Sequence, residues 1–193
     1  MDDHELIKQI LNGNTNAFTA LVSRYQKLVV HITGRLIQRH EEVEDVSQEV
    51  FIKVYENLGR YRAESKLSTW IATIAYNTGV NYLRKFKRTD DINIDETKAL
   101  QFMTDNVTAD YEQIDLHRYI RAQIEHLPAH YRTVITLYHL EEFSYQEIEQ
   151  ITGMPEGTVK NYLFRAKALL KEKLEFVTDK KKSKITQKIN HEQ

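Results

Sequence analysis

Cysteine is absent from this 193-residue chain, which excludes disulfides, thiol catalysis and thiolate metal sites. Glycine and proline are also scarce, at six and two residues, while Leu, Ile, Glu, Lys and Gln are plentiful. That balance favours helices. It also leaves too little glycine for a phosphate-cradling loop, and neither G-x-x-x-x-G-K nor G-x-G-x-x-G occurs. No alternating run is convincing enough to build a sheet. No apolar run is long enough to cross a bilayer, and the N-terminus MDDHELIKQI lacks a signal-peptide pattern, so a cytoplasmic location is expected. His126 and His130 have the i, i+4 spacing of a metal pair, but Pro128 between them argues against a continuous helix there. No catalytic constellation, metal site or cofactor is expected.

Charge is present in quantity but segregated. The formal net charge of −1 conceals blocks of opposite sign. Between Glu41 and Glu56 six carboxylates face Lys53 alone. Between Arg60 and Arg88 seven cations face Glu64 alone, and between Thr89 and Asp115 eight acids face one Lys. Basic blocks can meet phosphates, whereas acidic blocks need another partner or simply solvate.

These shifts divide the chain into four parts. Residues 1–88 carry helical patterning almost throughout: Glu5–Leu11, Ala17–Arg39, Glu41–Leu58 and Leu67–Lys87, with Asn12-Gly13-Asn14 closing the first. Residues 89–109 read as a flexible acidic linker, with one short helix around Ala99–Met103. Residues 110–176 form a second helical unit. The Lys-rich tail, 177–193, is too polar to bury much and is expected to be disordered. The fold class is all-α: two small helical domains and a linker.

The strongest local signal is FSYQEIEQITGMPEGTVKNYLFRAKALL, Phe143–Leu170. Ser144 and Glu147 form an S-x-x-E capping box, Gly153 ends the helix, and Pro155 sits where another can start. Val159, Leu163, Ala166 and Leu170 make a buried stripe, while Thr158, Asn161 and Arg165 fall elsewhere. This is the layout of a helix-turn-helix whose second helix enters the major groove. An ordinary helical hairpin with a solvated polar face is the plainer alternative.

Two N-terminal segments also carry useful faces. In EEVEDVSQEVFIKVYENL, Val43, Val46, Val50, Val54 and Leu58 form an apolar band with Ser47, Phe51 and Tyr55 beside it. Asp45, Gln48, Glu49, Ile52 and Glu56 lie opposite. An apolar spot inside an acidic rim suits docking onto a basic protein surface, and a solvated acidic face with one stray Ile fits the spacing equally. In LSTWIATIAYNTGVNYLRKFKR, Ile71, Ile74, Ala75, Thr78 and Tyr82 form the inner side, while Asn77, Asn81, Arg84, Lys85 and Arg88 form another. Amides followed by cations could give base contacts flanked by phosphate contacts. The preceding loop, GRYRAESK, could hold an unstacked base. Trp70 reads as core or as a stacking platform.

Three motifs in order resemble the bacterial sigma factors of the extracytoplasmic-function (ECF) class: EDVSQEVFIKVYENL, STWIATIAYNTGVNYLRK and LPAHYRTVITLYHLEEFSYQEIEQITGMPEGTVKNYLFRAK. The resemblance spans most of residues 5–175. It implies a protein that binds core RNA polymerase and promoter DNA, is not itself an enzyme, and is held inactive by an anti-sigma partner. By position, Asp45, Gln48, Glu49 and Ile52 would dock on the largest polymerase subunit. Arg62, Ser65, Lys66, Trp70, Asn77, Asn81, Arg84 and Lys85 would capture and melt the −10 element. Glu156, Thr158, Lys160, Asn161 and Arg165 would read the −35 element, and the acidic linker would thread toward the polymerase active channel. The chain departs from the family at Asn81, where Asp is frequent, and at Asn161-Tyr162, where Ser-Arg is common. The runner-up is a stand-alone helix-turn-helix regulator using residues 143–170, and a third reading is an adaptor that uses only the acidic helix.

Overall fold

A computed structural model describes residues 2–37, 39–86 and 116–191. The acidic linker expected at 89–109 lies outside them, as do Lys87 and Arg88. Every regular element among the described residues is helical.

Short polar side chains decide where the first helices begin. Asp2 caps α1 (Asp3–Leu11) by accepting from the Glu5 amide at 2.8 Å. Asn12 closes that helix and Gly13 turns the chain at φ +87°, a left-handed conformation that suits glycine. Asn14 then caps α2 (Thr15–Leu36), accepting from the amides of Asn16 and Ala17. The start of α3 (His40–Asn57) has no side-chain cap, but Glu41 and Glu42 in its first turn complement the helix dipole. A 3-10 turn, Leu58–Arg60, leads to the loop before α4 (Leu67–Phe86).

Helices α2, α3 and α4 pack together through the expected stripes. Leu21, Leu28, Val29 and Ile32 of α2, Val50 and Val54 of α3, and Ile71 and Ala75 of α4 are buried. Thr33 and Ser47 are buried among them and hydrogen-bond to each other at 3.0 Å, which removes the cost of two unpaired hydroxyls. Tyr55 differs from expectation. It is exposed, lying edge-on to Phe18 at 4.9 Å, because it falls at the margin of the apolar band.

The C-terminal group comprises α5 (Leu116–His126), α6 (Ala129–His139), α7 (Tyr145–Thr152) and α8 (Glu156–His191). Pro128 separates α5 from α6, so His126 and His130 stand on different helices. His126 meets its own helix at the Ala122 carbonyl, while His130 lies against Tyr131 and Tyr162. In α8 the buried apolar residues are Val159, Leu163, Ala166 and Leu169, with Leu170 only half-buried, and Lys173 is buried as well. The tail expected to be disordered instead continues α8 to His191. After Gly157 the chain has no glycine or proline to stop a helix, and its Lys, Gln and Glu residues favour one even without burial.

The two groups pack against each other. Helix α2 meets α6, α4 meets α7, and buried apolar side chains run continuously from one group into the other. Arg132 of α6, 4% exposed, is central to this contact. Its Nε donates to the Arg35 carbonyl at 2.7 Å and its Nη1 to the Glu125 carbonyl at 2.6 Å. These carbonyls end α2 and α5, where no intrahelical donor is available and the dipole attracts a cation. Replacing Arg132 with Met should therefore destabilise the fold by about 1–3 kcal/mol in chemical denaturation. Lys, lacking the planar fork, should recover only part of that loss.

Burial pulls the His130 imidazole down to about 4 from its ordinary 6.5. The unfolded chain therefore binds the proton more readily between those values. This contribution to stability is fully present above pH 6.5 and declines as pH falls toward 4. Urea midpoints at pH 7 and pH 5 should differ less for His130→Phe than for the unaltered chain.

Candidate nucleic-acid and polymerase interfaces

Because the inner face of α3 is fixed by buried valines, its outer face is fixed as well. Asp45, Gln48, Glu49 and Ile52 are all exposed there, and Ile52 is 58% exposed amid carboxylates. An apolar side chain left in water has no stabilising role in the folded chain, whereas covering it with a partner would gain burial energy. Glu49 pairs with Lys53 at 2.7 Å, which leaves Asp45 and Gln48 as the forward polar edge.

The loop before α4 is shaped from within. Tyr61 donates to the Ser65 carbonyl at 2.6 Å, and its ring lies 5.4 Å from Trp70 at a 53° tilt. Trp70 is half-buried and packs on the core, so part of its ring surface is structural. Ala63 adopts φ +56°, an uncommon conformation for a residue with a Cβ, at the tip of this loop. Arg62 and Lys66 project outward while Ser65 is half-buried. Along α4, Asn77, Asn81, Arg84 and Lys85 are all exposed and share a face. The structure thus lines amides and cations along one side of the helix.

The helix-turn-helix forms as its capping chemistry demands. Ser144 accepts from the Glu147 amide, and Glu147 accepts from the Ser144 amide and hydroxyl at 2.9 Å each. Gly153 ends α7 at φ +71°. Burial pushes the Glu147 carboxyl up, but the Ser144 donors and the Lys66 ammonium together hold it below its ordinary value. On α8, Lys160, Asn161 and Arg165 are exposed, whereas Glu156 and Thr158 are half-buried. Glu156 pairs with Lys160 at 2.5 Å.

Two features of this unit escape the sequence reading. Tyr138 of α6 and Tyr145 of α7 stack at 5.0 Å and 7°. Lys160 lies 5.3 Å over Tyr145 and Lys167 lies 5.5 Å over Tyr138. The stacked pair thus holds one cation of α8 over each ring. The second feature is Phe164, 74% exposed beside Asn161 on the outward face. Its position outside the Val159–Leu163–Ala166 stripe is the signal that could have identified it. Phe164→Ala should change unfolding stability by no more than about 0.5 kcal/mol. It should nevertheless weaken binding to duplex DNA carrying the preferred upstream element, through loss of an apolar contact of the kind made with thymine methyls. Unfolding curves and duplex titrations on the same variant check both halves.

An exposed acidic face with one apolar residue, an amide-and-cation helix and a helix-turn-helix on one helical chain suit a protein that reads DNA and meets a protein partner. Comparison with known families agrees. Residues 21–89 match the model described as Sigma-70 region 2, and residues 117–170 match Sigma-70, region 4. The ECF RNA polymerase sigma-E factor of Haemophilus influenzae is 35% identical over 91% of this chain and 96% of its own length. The RNA polymerase sigma-H factor of Pseudomonas aeruginosa is 32% identical over 90% and 94%, and the ECF factor SigW of Bacillus subtilis is 33% identical over 87% and 94%. Two solved structures share the fold. CnrH, in complex with the cytosolic domain of CnrY, has TM-score 0.62 at 21% identity over 90% of this chain and 97% of that one. The sigma factor RpoE of Bartonella quintana, in complex with the anti-sigma factor NepR, has TM-score 0.62 at 23% identity over 82% and 96%.

The chain belongs to the ECF RNA polymerase sigma factors, and its function is promoter-specific initiation of transcription. That family consists of initiation factors rather than enzymes. No group of three or more His, Cys, Asp or Glu among the described residues could hold a metal ion. No helix among them is long and apolar enough to cross a membrane.

Proposed function

We propose that three surfaces divide the work of initiation. Asp45, Gln48, Glu49 and Ile52 dock on core RNA polymerase. Arg62, Ser65, Lys66 and Trp70, with Asn77, Asn81, Arg84 and Lys85, capture the −10 element and help open it. Glu156, Thr158, Lys160, Asn161 and Arg165 engage the −35 element, supported by the tyrosine platform. Residues 1–88 and 110–176 are the corresponding functional units, with 89–109 between them entering the polymerase. The chain works in the cytoplasm, where a partner of the anti-sigma class holds it inactive, and all covalent chemistry remains with the polymerase.

The observation that carries this reading is the exposed Ile52 within an acidic face whose opposite side buries Val43, Val46, Val50 and Val54. A stand-alone regulator has no use for such a face. Opening the duplex needs no fuel. Phosphate contacts and base contacts at two elements offset the unpairing, and each extruded base costs on the order of a few kcal/mol. The cations of α4 and α8 sit in a chain with a net charge of −1, so tight operator binding by the free protein is not expected.

Asp45→Lys combined with Gln48→Ala should abolish association with purified core polymerase while leaving helix content unchanged. Asn77→Ala with Asn81→Ala should instead preserve association and reduce permanganate reactivity of −10 thymines. If the first variant binds core normally, α3 is not the docking face. Tight, specific operator binding by the isolated chain would favour the stand-alone regulator.

A further inference from the structure

The loop before α4 is closed at its base by a side chain that the three surfaces leave out. Tyr61 donates its hydroxyl to the Ser65 carbonyl at 2.6 Å, so residues 61–65 form an arc with Arg62, Ala63 and Glu64 exposed along it. At the tip Ala63 holds φ +56°, without the freedom that glycine has there. A residue with a Cβ keeps such a conformation where its surroundings over-determine it. Both ends of the arc are fixed. On one side the Tyr61 amide donates to the Leu58 carbonyl at 3.1 Å; on the other the Trp70 amide donates to the Lys66 carbonyl at 3.1 Å. The hydroxyl bond ties the two ends together.

Tyr61 is itself braced from behind. It is half-buried, packs on the core and lies against the Trp70 ring. The 3-10 turn before it packs against α1. Asp3 anchors that helix to α2, accepting from Arg24 at 2.6 Å and from the Tyr25 hydroxyl at 2.7 Å. Burial, with the charge of Asp3 added, pushes the Tyr61 hydroxyl up from its ordinary pKa, so it stays protonated and able to donate.

We infer that Tyr61 is a positioning residue for −10 capture: its hydroxyl holds the loop in the shape that receives an unstacked base, and its ring fixes the indole of Trp70 beside it. The inference rests on reading Arg62, Ser65, Lys66 and Trp70 as the −10 contact set, and Tyr61 acts through them. Binding to a loop without a fixed shape spends part of its free energy on ordering that loop. A loop already held in its binding shape spares that cost, so more of the stacking and phosphate attraction appears as affinity for the open strand. The benefit falls on strand capture alone. The docking face lies on α3 and the upstream reader on α8, and neither includes this loop.

Tyr61→Phe removes the hydroxyl and leaves a ring against Trp70. The probe is a fluorescent single-stranded oligonucleotide carrying the nontemplate −10 sequence of a promoter mapped by run-off transcription with the same holoenzyme. Holoenzyme carrying Tyr61→Phe should bind it roughly three- to tenfold more weakly, the range that one hydrogen bond supplies. Affinity for core polymerase and for −35 duplex should stay within roughly twofold, as for distant sites with no shared partner. Adding Ala63→Gly should recover much of the loss, because glycine adopts the left-handed φ without the clasp, whereas Ala63→Gly alone should change little. That rescue separates positioning from a general role in the fold. Unchanged oligonucleotide binding by Tyr61→Phe would overturn the inference. So would a parallel fall in core affinity and urea midpoint, or a loss that Ala63→Gly leaves untouched. Arg62→Ala with Lys66→Ala, in a chain that keeps Tyr61, tests the underlying assignment. If that pair does not weaken oligonucleotide binding, the −10 contact set itself falls; if it does while Tyr61→Phe does not, only the role of Tyr61 is lost.

Discussion

A buried guanidinium, Arg132, fixes how the two helical groups meet at the ends of α2 and α5. Among the described residues Arg132 forms no carboxylate pair; it satisfies two helix C-termini instead, one from each helical group. The energetics favour this placement because the final carbonyls of a helix are unpaired and collectively negative. An apolar residue at position 132 would fill the space and leave both carbonyls dry. The arrangement therefore constrains where α5 and α6 can sit on α2, and through α6 it constrains the corner carrying Glu141 and Glu142. Beyond that corner the chain enters α7, which packs directly on α4.

Charge segregation explains how a chain of almost zero net charge can serve two opposite partners. The acidic face of α3 would repel DNA and attract a basic protein surface, while the amide-cation face of α4 does the reverse. The acidic face of α3 carries the local pair Glu49–Lys53, and on α8 Glu156 pairs with Lys160. Those i, i+4 pairs are weak enough in water to exchange for stronger partners. Surfaces of opposite sign on one small body also discourage nonspecific binding of the whole protein to either partner alone.

Much of this could be read from the sequence because it is local. The capping box at Ser144 and Glu147, the left-handed Gly153 and the stripe through Val159 depend on residues within two turns of each other, and all appear as expected. The inner valines of α3 also locate its outer face without any tertiary information. The margins were less legible. Tyr55 and Leu170 sit where a helical wheel cannot say which way a neighbouring helix will lean. The stacking of Tyr138 on Tyr145 requires the angle between α6 and α7, which their sequences do not encode separately. The contacts of Glu147 with Lys66 and Thr69 span about eighty positions and follow only from packing of the two groups. The continuation of α8 past 176 is a different kind of miss: low burial argued for disorder, but helix propensity without a breaker runs on.

The double use of Glu147 has an energetic consequence. Its contacts to Ser144 are three residues apart in sequence and survive any movement of the C-terminal group as a body. Its contacts to Lys66 and Thr69 do not. Of the polar bonds this carboxylate makes, those to Lys66 and Thr69 join the groups, while those to Ser144 belong to the cap of α7 alone. Because the same side chain must also start α7, its position is dictated by the helix first and by the contact second, which keeps that contact modest. One carboxylate thus serves a local bond that starts a helix and a distant, partly exposed bond between the groups.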